Sequence, residues 1–130
     1  MRIKRIDGGF EDVEPSIYRQ RIILEGHYDI AFDGDVMKKY LEQLSKEIDM
    51  HIFAGPFCYP PDRWNDPNGI PLQDWNGFVM WLESGCHCYV FPKVKFFTVD
   101  AYSCKPFDAE KVAAYTREYF DSGDMQFREA

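Results

Sequence analysis

The chain is short of positive charge: 15 Lys and Arg stand against 22 Asp and Glu in 130 residues, a formal net charge of -7 with a pI near 4.9. That balance excludes a surface built for nucleic acid or anionic lipid, which needs clustered Lys and Arg. Long apolar runs are also missing. The N-terminus, MRIKRIDGGFEDVEP, carries charge every few residues and no signal-like apolar stretch, and no later segment approaches bilayer-spanning length. A cytoplasmic chain without membrane partner is therefore expected, and its four cysteines (Cys58, Cys86, Cys88, Cys104) are expected to be free thiols rather than a disulfide framework. Internal repeats and low-complexity segments are absent too, and 130 residues suffice for one core but not two.

What is abundant is aromatic: eleven Phe, eight Tyr and three Trp make 17% of the chain, enough for a filled core together with a ligand pocket or a buried dimer face. After a polar arm over 1–18, RIILEGHYDIAF (21–32) is rich in β-branched and aromatic residues without helical spacing and predicts a strand, with Gly26 as a bulge. Asp33-Gly34-Asp35 supplies cap chemistry before an apolar stripe at Val36, Tyr40, Leu44 and Ile48, predicting a helix over 35–49. A strand over 51–58 is expected next, then an irregular loop over 56–76, where PPDRWNDPNGIP concentrates Pro, Asp, Asn and Gly. Gly77–Glu83 reads as a strand, CHCYVFPKVKFFTVDAYSC as a hairpin turning near Lys93-Val94, and Asp108 as the cap of a helix running to Gly123. Residues 19–123 form the expected core and 124–130 a loose tail. The order of elements lacks βαβ alternation, so an α+β two-layer sandwich is predicted, helices on one face of a mainly antiparallel sheet.

A turn at that place sets Ser84 opposite Cys104, with Cys86 and Cys88 on the Ser84 side and His87 and Tyr89 on the other. Serine beside a thiol is no hydrolase triad, because neither group is a suitable base. A serine can instead attack the carbonyl before it, convert that amide into an ester and then eliminate. The chain is cut and an N-terminal pyruvoyl group remains, a ketone that accepts an amine and serves as an electron sink. Cys104, if buried among apolar residues, keeps its proton and can reprotonate the product. Cys86-His87-Cys88 with His51 also offers zinc-type donors, but C-x-C in a strand is not a zinc knuckle, and no metal is expected.

NGFVMWLES, VDAYSC and the strand RIILEGHYDIAF together resemble the prokaryotic, pyruvoyl-dependent S-adenosylmethionine decarboxylase proenzymes over roughly residues 20–120, as a divergent member. The resemblance implies cleavage at Glu83-Ser84, a pyruvoyl cofactor from Ser84, Cys104 as proton donor, and a small amino-acid-type substrate decarboxylated for polyamine synthesis by a homodimer. It also implies help in processing from Tyr89 and Asn76, which stand where the family has histidine and serine, and from His87, and substrate contacts at Phe91 and Lys93. Gly85 replaces a family histidine and Lys93 a family carboxylate. A lysine there would repel a sulfonium cation and suit a related substrate carrying a carboxylate. The alternative implied by the same departures is an uncleaved relative that binds ligand or regulates a partner.

Overall fold

The computed structural model describes residues 2–130 as one antiparallel sheet covered on one face by two helices. The elements are β1 (Gln20–His27), α1 (Gly34–Glu47), β2 (Ile52–Tyr59), β3 (Trp75–Trp81), β4 (Ser84–Phe91), β5 (Phe96–Ser103), α2 (Ala109–Phe120) and β6 (Gln126–Glu129). The strands lie in the order β2-β3-β4-β5-β1-β6, every neighbouring pair antiparallel. The predicted α+β two-layer sandwich is the observed one.

Both helices begin where the sequence places a cap. The Asp33 carboxylate accepts from the Val36 N–H, and that of Asp108 accepts from the N–H groups of Glu110 and Lys111. Their apolar stripes meet the alternate inward residues of the sheet, so Leu24, Val99 and Phe97 are buried with Met37, Leu44 and Phe120. The few polar groups in this core are paired: Tyr40 Oη lies 2.7 Å from Thr116 Oγ1 between the helices, and Trp81 Nε1 donates to Ser45 Oγ at 2.7 Å. No helix among the described residues is long and apolar enough to cross a membrane.

Away from the β3–β5 hairpins, the structure departs from the sequence reading in four places. β1 ends at His27, not Phe32, because the chain then leaves the sheet: Tyr28 N–H bonds to Lys95 O and Asp29 N–H to Phe120 O. Gly26 is not a bulge, since pairing with β5 runs unbroken through it; a Cβ there would stand 2.5 Å from Ser122 Oγ, so glycine admits the segment leading into β6. β2 continues past Pro56 to Tyr59 with register shifts on both sides of Ala54, as an edge strand can, so the loop shrinks to 60–74. The segment 124–130 is no loose tail, because β6 pairs with β1 from Glu25↔Gln126 to Ile22↔Glu129. Residues 2–18 are irregular and mostly exposed.

Candidate functional site

The hairpin β4–β5 closes through the four residues 92–95, and an even loop sets the register one residue away from the expected one: Ser84 pairs with Ser103 rather than Cys104. Ser103 is buried toward the core, while Cys104 lies just beyond β5 and is exposed, against the expectation of a buried thiol. The two groups are still brought together. Ser84 Oγ stands 3.7 Å from Cys104 Sγ, and Tyr102 Oη stands at the same 3.7 Å from that sulfur.

Glu83 is the second residue of the two-residue turn between β3 and β4, not the end of a strand. Its carbonyl oxygen, the one a Ser84 attack would charge, accepts the Cys104 N–H at 2.8 Å. Its carboxylate accepts the His51 N–H at 3.1 Å and lies 2.7 Å from His51 Nδ1. The His51 side-chain contact, first among the causes, holds the Glu83 carboxyl below its ordinary range. Ser84 itself has φ of 147°, a backbone region that costs a residue with a side chain on the order of 1–3 kcal/mol. The bond in question therefore joins a residue held at three oxygens to a residue under backbone strain.

Ser84 opens onto a cavity of about 710 Å³ on the helix-free face of the sheet, whose walls include His87, Tyr89, Asp100, Tyr102 and Arg21. The Arg21 guanidinium lies 4.6 Å above the Tyr102 ring. Gly85 sits at its base, where a Cβ would meet Val79 O at 2.7 Å, so β3 and β4 approach closely only because this residue lacks a side chain. His87 and Tyr89 stack with rings nearly parallel at 5.5 Å, and His87 also leans on Phe78 at 5.2 Å. His87 lies three strand steps from Ser84, about 10 Å along the strand.

The faces are thus sorted differently from the sequence reading: Cys86 and Cys88 point into the core, where burial pushes both thiols upward in pKa, and Ser84 shares its cavity with His87 and Tyr89. Asn76 pairs with Tyr89 across β3–β4 and lines a smaller cavity with Trp64, Leu72 and His87 under the 60–74 loop. Phe91 packs on Phe96 at 5.9 Å, and Lys93 lies in the turn beyond it. Phe91 ends β4, about 23 Å from Ser84 by strand rise, and both residues lie outside the cavity wall. Sequence reasoning missed Tyr102, which period-two spacing from Cys104 could have found, and His51, which nothing local connects to Glu83.

The model of the S-adenosylmethionine decarboxylase family matches residues 24–130. Among solved structures, an adenosylmethionine decarboxylase from Aquifex aeolicus VF5 superposes with a TM-score of 0.63 at 16% identity, covering 88% of this chain and 89% of that one. No curated protein sequence matches.

Proposed function

Because the chain belongs to the S-adenosylmethionine decarboxylase family, we propose that it is a self-processing decarboxylase whose cofactor is made from Ser84. The observation that carries this reading is the state of the Glu83-Ser84 bond: an N–H already on the Glu83 carbonyl oxygen, and backbone strain in Ser84, the residue that bears the hydroxyl. Ser84 Oγ attacks the Glu83 carbonyl carbon, and the Cys104 N–H, 2.8 Å from that oxygen, stabilises the negative charge it gains. Nitrogen leaves to give an ester. Loss of the Ser84 α-proton then expels the Glu83 carboxylate, and water releases the nitrogen as ammonia, leaving residues 1–83 and a pyruvoyl-blocked 84–130.

The pyruvoyl group so formed supplies an electron sink for loss of carbon dioxide from a bound amino acid. The residues around it do the rest. Cys104 Sγ, between the Ser84 and Tyr102 hydroxyls, holds the proton that replaces carbon dioxide on the substrate α-carbon. Asp100 gives the cavity a carboxylate suited to a cationic substrate, while Lys93 is too far along β4 to repel one within the same chain, so S-adenosylmethionine fits better than the lysine alone would suggest. That substrate places the reaction in polyamine synthesis. A second copy laid on the helix-free face would cover the exposed Phe57, Tyr59 and Met80.

Intact-mass analysis of the purified protein tests this directly. Two fragments split between Glu83 and Ser84, the second blocked at its N-terminus, support it; one chain of unaltered mass removes it. A second reading, an uncleaved ligand-binding relative, is favoured by Tyr89, which holds the family histidine's place yet is stacked on His87. It predicts the unaltered chain, with S-adenosylmethionine binding that raises the thermal midpoint.

A further inference from the structure

Three stretches of backbone remote in sequence are knitted together around Glu83-Ser84. The first is the connection from α1 into β2, residues 49–51; the second is the β3–β4 turn, 82–84; the third is the end of β5, 103–105. Lys105 Nζ donates to Asp49 O at 2.6 Å, and Cys104 N–H donates to Glu83 O at 2.8 Å. His51 closes the triangle from the third side. Its carbonyl accepts the Leu82 N–H at 2.9 Å, its own N–H reaches Glu83 Oε1 at 3.1 Å, and its Nδ1 lies 2.7 Å from Glu83 Oε2. His51 thereby grips both oxygens of one carboxylate and the amide two residues before Ser84.

This grip has a mechanical meaning. A two-residue turn leaves the Glu83 carbonyl free to swing as the peptide plane rotates, and attack by Ser84 Oγ needs that carbonyl fixed with its oxygen on the Cys104 N–H. Fixing the side chain of the same residue on a separate element removes that rotation. The Glu83 side chain is only 16% exposed, whereas the His51 side chain is 65% exposed, so the contact immobilises the turn rather than filling the core. His87, which lies about 10 Å along the strand and is occupied by Tyr89 and Phe78, cannot serve this purpose.

We infer that His51 is a positioning residue for self-cleavage: by holding the Glu83 carboxylate through Nδ1–H and its main-chain N–H, it fixes the Glu83 carbonyl for attack by Ser84. The inference rests on the processing reading above. It makes the histidine nearest in contact to the scissile bond one contributed by the connection leading into β2, and it gives the Glu83 side chain a task of its own.

The test follows cleavage in the full-length chain over time, by intact mass, together with the fraction cut by hydroxylamine, which severs esters but not amides and so reports the acyl shift at Ser84. His51→Ala should slow cleavage about 10- to 100-fold and reduce the hydroxylamine-sensitive fraction, the size expected for a misplaced reacting group. His51→Asn, whose side-chain amide N–H occupies the place of Nδ1–H, should restore the rate to within a few-fold of the parent. Urea midpoints measured alongside should move little, because the ring is largely exposed. A parent chain that cleaves while His51→Ala keeps pace with it overturns the inference and leaves the processing reading intact. So does equal slowing in His51→Ala and His51→Asn. A parent chain that neither cleaves nor carries a hydroxylamine-sensitive bond overturns the processing reading and the inference with it.

Discussion

Ser84 carries two loads that substitution can separate. Its φ of 147° is a region open to glycine and costly for other residues, while its hydroxyl is the proposed nucleophile. Ser84→Ala removes the hydroxyl and keeps the strain; Ser84→Gly removes both. Neither should cleave, but Ser84→Gly is expected to be more stable than Ser84→Ala by about 1 kcal/mol, read as a higher urea midpoint in uncut protein. Equal midpoints would show that the backbone at Ser84 is relaxed. The meeting of Ser84 with Cys104 was legible in the sequence, since strand pairing about a recognisable turn fixes partners to within a residue. The turn's length was not, and that single residue decides that Ser103 rather than Cys104 is buried. The bond from His51 to Glu83 spans 32 positions and is made by side chains on a turn and a strand start, which no periodicity encodes.

Among the elements, the helices were read most closely because capping aspartates and apolar stripes are local signals. β6 gave no such signal: all four of its residues are exposed, so it lacks the alternation of a strand with a buried face. It is held by main-chain pairing to β1 and by Asp124, whose carboxylate accepts the His27 N–H at 2.8 Å and lies 2.7 Å from His27 Nδ1. Those contacts, the main-chain one first, keep the Asp124 carboxyl below its ordinary range. A carboxyl depressed in the folded state adds stability above its unfolded pKa and loses it as pH falls through the folded value. Protection factors of the β6 amides, exchange rates corrected for the intrinsic rate at each pH, should therefore hold at pH 5 and fall only below about pH 4, the ordinary range of an aspartate. In Asp124→Ala the same amides should show low protection factors across that pH range while those of β4 stay protected. Protection of β6 unchanged by that substitution would assign its hold to the β1 ladder alone.

For the molecule as a whole, the helix-free face bears the consequence. Phe57 lies on it, 39% exposed and against Phe78, outside the cavity that holds Ser84. If this face meets its copy, Phe57→Glu places paired charges in the joint and should halve the mass seen by light scattering, with the far-UV spectrum unchanged. A parent protein already monomeric at micromolar concentration would refute the dimer.

The strand order has one more consequence. Along β2-β3-β4-β5-β1-β6, residues before Ser84 supply the first, second and fifth strands and residues after it the third, fourth and sixth. A chain cut between Glu83 and Ser84 is thus two interleaved pieces, each filling gaps in the other, and dilution alone has no clean seam at which to part them. Unfolding is another matter. The uncut chain can refold as a solitary molecule, but the cut one must first find its other half, so its recovery from urea should slow as protein concentration falls. Maturation would leave the shape as it was and make folding a journey in one direction.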